Sequence, residues 1–193
     1  MKLYLTRHGE TDWNIQNRIQ GQTDTFLNEK GKEQAKELAN RLKDKYEIRT
    51  IYTSRQRRAQ ETAAVVGEAI HVTPIVRDGL EEISFGRWEG YTWRQVREQF
   101  PKEYQAWYEN RRYQIPPDGE SYQQLLDRLI PALAGIFAEH EENVLAVAHS
   151  AVIMTLMSDI YNTPFEEMAQ NYRTGNTGIV EIGPELFQKR YGK

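Results

Sequence analysis

The sequence predicts an α/β protein built on a mostly parallel sheet, and three observations carry that expectation. Short apolar runs alternate along the chain with longer segments patterned at helical spacing, the order that βαβ units produce. The run Val144–Ala148 is apolar at every position, as suits a strand covered on both faces. Two apolar runs, Leu3–Leu5 and Val144–Ala148, lead into histidines, His8 and His149. In open α/β sheets the C-terminal strand ends are where ligands bind.

The chain has 193 residues, 39% of them apolar, which favours one domain with a real core. We expect that domain to run over 1–193, with a lid segment at about 85–122. A net charge of −3 argues against a general nucleic-acid binder. With no cysteine there is no disulfide framework, thiolate metal site or Cys nucleophile. No stretch approaches membrane-spanning length, so a cytoplasmic location is the expectation.

Strand one ends on Arg7-His8-Gly9. Gly9 permits a tight turn and a close approach to the backbone. Arg7 sets a permanent cation with several donors beside the imidazole, and Asn14 adds an amide. An imidazole, a guanidinium and an amide converging on one point suit a phosphate. Ala35, Leu38, Ala39, Leu42 and Tyr46 then recur at helical spacing, and Ile48–Thr53 reads as a second strand.

Ser54 reads as the N-cap of the next helix, whose apolar stripe is Ala59, Thr62, Ala63 and Val66. Arg55, Arg57 and Arg58 crowd its first turn, where cations are disfavoured unless an anion sits there. Two of the three are expected to be surface charges. His71–Val76 reads as a third strand, and no His pair has metal-binding spacing, so neither a metal nor another cofactor is expected.

From Phe85 to Tyr122 aromatic residues alternate with Arg87, Arg94, Arg97, Arg111 and Arg112 in a segment broken by Pro101, Pro116 and Pro117. Short helices and loops forming a lid fit this pattern, with most rings packing as a small satellite core. At least one of Arg87, Arg94, Arg111 and Arg112, with one of Trp88, Tyr104, Trp107 and Tyr108, is expected at the entrance to the site. Ser121 should open a long helix that Pro131 kinks or locally breaks. His140 suits that helix's C-terminal end. A helix from Ser150, a strand at Gly178–Ile182 and a further edge strand at Phe187–Tyr191 complete the reading.

These residues resemble the histidine phosphatase superfamily, in the branch of cofactor-dependent phosphoglycerate mutases and related small phosphatases. Arg7-His8-Gly9-Glu10 with Asn14, Ser54-x-x-x-Arg58-Ala59-x-x-Thr62-Ala63, Glu82-x-x-Phe85-Gly86-x-Trp88-Glu89-Gly90 and the strand reaching His149 occur in the family's order. The resemblance implies a three-layer α/β/α sandwich with a lid over the site. It implies a metal-independent phosphoric monoester hydrolase of the histidine acid type, acting on a small phosphorylated metabolite. His8 would become phosphorylated, with Arg7, Arg58 and His149 holding the phosphoryl group. Glu82, rather than its neighbour Glu81, would be the proton donor. Asn14, Gln20, Gly21 and Thr177 would complete the phosphate- and substrate-binding set.

That mechanism needs an unprotonated nitrogen on His8, a fixed acceptor for its other nitrogen and a protonated Glu82, while the arginines and a charged His149 can stabilise the phosphoryl charge without a metal. Ser150 and Phe26 depart from the family's usual Gly and Pro, and both are expected to reshape the pocket wall. A phosphoglycerate mutase and a non-catalytic phosphate binder are the alternatives. Tyr104-x-x-Trp107 and Ile115–Ser121 look like segments of α-ribazole phosphatases and of broad-specificity relatives. The partner expected is the metabolite alone, without nucleic acid or membrane, and a homodimer is left open.

Overall fold

The computed structural model describes residues 1–43 and 45–192. In chain order the elements are β1 (Leu3–Arg7), α1 (Asp12–Ile15), α2 (Glu29–Lys43), β2 (Thr50–Thr53), α3 (Arg57–Ile70), β3 (Ile75–Val76) and α4 (Trp93–Gln99). There follow α5 (Pro101–Glu109), α6 (Tyr122–Glu139), β4 (Val144–Ala148), α7 (Ser150–Ile160), α8 (Met168–Tyr172), β5 (Ile179–Ile182) and α9 (Pro184–Tyr191).

The strands form one sheet in the order β3-β2-β4-β1-β5. β1, β2, β3 and β4 pair in parallel, and β5 runs antiparallel against β1. Side chains alternate across the sheet and build two cores. Tyr4, Ile51, Leu145 and Val147 pack against Leu38, Ala39 and Leu42 of α2 and Ala59, Ala63 and Val66 of α3. On the opposite face Leu3, Leu5, Val144 and Ala146 meet Leu125, Leu129 and Leu133 of α6, Val152 and Leu156 of α7 and Phe187 of α9. The protein is therefore a three-layer α/β/α sandwich. No helix among the described residues is long and apolar enough to cross a membrane.

Several elements differ from the sequence reading. The expected strand at His71–Val76 shrinks to Ile75–Val76, because α3 runs on to Ile70 and His71 caps it in the left-handed region at φ 59°. The expected edge strand at Phe187–Tyr191 is instead the helix α9, with Pro184 in its first turn. Phe187 and Tyr191 are spaced i, i+4, one helical face, and Phe187 packs on Phe137 at 4.8 Å between ring centroids. Residues 48 and 49 precede β2, and Tyr46 lies beyond α2, edge-on to Tyr4 at 4.8 Å. α6 does open at Ser121 with a reciprocal capping box, but it passes through Pro131 without breaking.

Candidate active site

The two central strands deliver the two histidines side by side. Arg7 at the end of β1 is in register with Ala148 at the end of β4, so the next residues, His8 and His149, are neighbours. Their ring centroids are 5.3 Å apart. Arg7, His8, Asn14, Gln20, Gly21, Arg58 and Glu82 line one cavity of about 600 Å³, and His149 lies fully buried behind it.

His8 is held by its own turn. Its Nδ1 lies 2.7 Å from the carbonyl oxygen of Gly9, which can only accept, so Nδ1 carries the proton and Nε2 keeps its lone pair. Burial, followed by the cations of Arg58 and Arg7, holds this imidazole well below its ordinary range and keeps it neutral. The tightness at Gly9 faces α2: a Cβ there would come within 2.5 Å of the Gly31 carbonyl.

Arg58 is fully buried in the first turn of α3. It donates to the carbonyls of Gly21, at 2.7 Å, and Thr23, at 2.9 Å. Burial lowers its pKa to about 10, still cationic at neutral pH. Arg55 and Arg57 are exposed and paired, with Asp78 and Glu81 in the first case and Asp24 in the second. Arg7 donates to the Thr174 carbonyl at 3.1 Å. Among the described residues, the Nε atoms of both Arg7 and Arg58 are buried without a protein partner.

Glu82 is buried on the cavity wall, where its oxygens accept the backbone N–H of Ile83 at 3.1 Å and of Ala151 at 3.3 Å. Burial raises its pKa above the ordinary carboxylate value, against the opposing pull of Arg58. Glu81 is occupied elsewhere by Arg55 and the Gly79 N–H, and it lies outside the cavity.

The structure corrects the expected charge on His149. Burial, then Arg58 and His8, push its pKa well below the usual range, so the ring is neutral. Its Nε2 meets Ser54 Oγ at 2.7 Å, while Nδ1 is buried without a partner among the described residues. Ser54 is accordingly not the N-cap of α3; Gln56 is, without a side-chain cap bond.

Asn14 and Gln20 both present amides to the cavity. The Asn14 carbonyl oxygen accepts from Thr11 and Asn176, and that of Gln20 from Thr11 and Thr25. Among the described residues neither side-chain NH2 donates to another protein group. Gly21 takes φ +50° and supplies its carbonyl to Arg58. Thr177 does not line the cavity: its N–H donates to the Arg7 carbonyl at 3.0 Å, and its own carbonyl accepts from Arg41.

Sequence reasoning missed Asn176, which donates to the His8 carbonyl at 2.9 Å. The available signal was its place in Gly175-Asn176-Thr177-Gly178, a turn leading into β5. Glu89 stands in the motif that runs from Glu82 to Gly90, but sequence reasoning gave it no role; its carboxylate accepts from the N–H groups of Gln22, Thr23 and Phe85 and from the Thr23 hydroxyl. Ser150 does line the cavity, whereas Phe26 faces a separate hollow with Arg57 at 4.8 Å over its ring.

Within 85–122 the expected pairing at the entrance is half met. Arg111 lines the cavity, but the aromatic residues beside it are Phe85, Trp93 and Tyr122 rather than Trp88, Tyr104, Trp107 or Tyr108. Trp88 and Trp107 are buried edge to face at 5.4 Å, and they are continuous with the main core of Leu125, Leu129 and Val152 rather than a separate satellite. Arg87, Arg94 and Arg112 pair with Asp118, Glu98 and Asp159. Among the described residues Arg111 joins no ion pair, and it lies 4.0 Å over the Trp107 ring.

An imidazole with a lowered pKa, two guanidiniums, amide groups and a carboxyl with a raised pKa line one cavity, a set suited to binding a phosphoryl group. Comparison with known proteins agrees. Residues 3–190 match the model of the histidine phosphatase superfamily (branch 1). A metal-independent phosphoserine phosphatase of Arabidopsis thaliana is 35% identical over 80% of this chain and 66% of its own length, so the chain spans about two thirds of that relative. The structure of YhfR from Bacillus stearothermophilus superposes with a TM-score of 0.85 at 37% identity, covering 94% of this chain and 90% of that one. A mycobacterial glucosyl-3-phosphoglycerate phosphatase solved with VO3 gives 0.83 at 32%, covering 94% and 92%. Arg7, His8, Asn14, Arg58 and Glu82, from the sequence motifs named above, all line the cavity, and the chain belongs to the histidine phosphatase superfamily.

Proposed function

We propose that the protein is a metal-independent phosphomonoesterase acting through a phosphohistidine on His8. The observation that carries this is the locked tautomer of His8, in one cavity with the cations of Arg7 and Arg58 that act on it. The Nε2 lone pair attacks phosphorus as the ester P–O bond breaks, and Glu82 gives its proton to the departing oxygen. Arg7 and Arg58 meet the charge spread over the equatorial oxygens, where positioning and electrostatics do most of the catalytic work. Glu82, now a carboxylate, takes a proton from water as that water attacks phosphorus and the P–N bond breaks. His8 is regenerated neutral and Glu82 protonated.

The leaving group in this reading carries negative charge. Arg111 offers a cation without a carboxylate partner among the described residues, and Arg18 and Arg173 line the same cavity. Phosphoserine and glucosyl-3-phosphoglycerate, the substrates in the names of two relatives, both bear a carboxylate beyond the phosphate.

The test is His8→Ala, which should abolish turnover, together with trapping of an acid-labile, base-stable phosphoryl group on the wild-type protein. Full activity in His8→Ala would end the proposal. Supplying 3-phosphoglycerate with and without 2,3-bisphosphoglycerate separates release of phosphate from its transfer between positions.

A further inference from the structure

Two adjacent arginines, Arg111 and Arg112, have opposite surroundings. Arg111 lines the cavity over Trp107, its Nε buried without a partner among the described residues. Arg112 points away and is held at three atoms. Its Nε donates to Gln123 Oε1 at 2.7 Å, and its Nη2 donates to Asp159 Oδ1 at 2.8 Å. Its carbonyl accepts the Gln123 N–H at 3.0 Å, in the first turn of α6.

Asp159 sits near the C-terminal end of α7, the helix that His149 caps at its other end, and is 3% exposed. It also accepts two bonds from Arg190, at 3.1 Å each, and one from Tyr191 Oη at 2.8 Å, both on α9. A buried carboxylate with this many charged donors is held in one geometry.

We propose that Asp159 is a positioning residue for leaving-group recognition, acting through Arg112 on Arg111. Consecutive Cα atoms are about 3.8 Å apart, so anchoring Arg112 limits where Arg111 can go. The carboxylate also absorbs the second cation of the pair, which leaves one arginine aimed at the cavity rather than two competing for it. This proposal rests on the reading above that Arg111 meets a charged leaving group.

A simple staple between α7 and α9 would make the same bonds, so stability alone does not decide. The discriminating quantity is the ratio of kcat/KM for 3-phosphoglycerate to that for phenyl phosphate, whose leaving group is uncharged. In Asp159→Asn the ratio should fall roughly three- to tenfold, chiefly through KM for 3-phosphoglycerate. Arg111→Ala should lower the same ratio. Adding Asp159→Asn to Arg111→Ala should lower it no further, since the residue it positions is gone. Equal scaling of both substrates in Asp159→Asn, or a further fall in the double variant, would overturn the proposal. If Arg111→Ala itself leaves the ratio at the wild-type value, the charged-leaving-group reading fails first and this proposal with it. Should Asp159→Asn not fold, Arg112→Lys runs the same cycle, keeping the charge but losing the fork shared by Gln123 and Asp159.

Discussion

Two buried titratable side chains, His8 and Glu82, carry opposite shifts, and the pH dependence follows from their signs. In the mechanism proposed above His8 is neutral when it attacks, and burial, then the cations of Arg58 and Arg7, lowers its pKa. The acid limb of kcat/KM should therefore lie below about pH 6.5, the ordinary imidazole value. Glu82 must be protonated to donate, and burial raises its pKa, so the alkaline limb should lie above the ordinary carboxylate range. Glu82→Gln should remove the alkaline limb and lower kcat by roughly a hundredfold or more, read from a pH series on one phosphomonoester. An unaltered limb would assign it to another group. His8 and Arg58 were legible as a histidine at a strand end and an arginine in a first helical turn, whereas Glu82, in a loop, was singled out only through the family resemblance. Ser54 was misread because a serine before a helix looks the same whether it caps that helix or, as here, holds His149.

Loop architecture was less legible than the strands. The Val144–Ala148 run announces itself through uninterrupted apolar residues, and α6 through its serine cap and wide stripe. Phe187–Tyr191 failed because two aromatics spaced by four in a short polar stretch suit either period. Glu89 shows what no local pattern reveals: its carboxylate joins 22–23 to Phe85, and the same loop supplies the Gly21 and Thr23 carbonyls that hold Arg58. Glu89→Ala should lower kcat/KM at least roughly tenfold on every substrate alike, since it acts through Arg58 on the shared phosphoryl group. A substrate-selective loss would place Glu89 elsewhere. Gly21 belongs to the same device, at φ +50° and so close to Glu89 that a Cβ would lie only 2.0 Å from Oε1. Gly21→Ala should therefore destabilise by about 1–3 kcal/mol in denaturant titration.

For the molecule as a whole, His8 and His149 are buried neutral, and both have folded pKa values below their unfolded ones. Between those values the unfolded chain binds more protons, so stability rises with pH and is lost as pH falls below about 6.5. Melting temperature should decline through that window, and less steeply in His149→Gln; an unchanged slope would mean His149 does not titrate on unfolding. The positive charge proposed to hold phosphate comes from arginine, so activity should survive EDTA, and loss restored by one divalent ion would revise the chemistry. The α/β architecture was readable because a parallel sheet demands alternation over the full chain. The strand order was not, since nothing local to Leu3–Arg7 names Val144–Ala148 as its neighbour.

That neighbourhood has a consequence for synthesis. β1 lies between β4 and β5, so both of its partners come from the last third of the sequence. Thr6 Oγ1 reaches the carbonyl of Gly178, a separation of 172 residues. On the ribosome β1 is made well before β4, so His8 has no strand beside it to bring His149 alongside until Val144–Ala148 has emerged. Such nonlocal pairing slows folding, because the loop must close before the contacts form. The nucleophile proposed at His8 is thus made before the strand that completes its surroundings, and the site forms only when the two ends of that long loop meet.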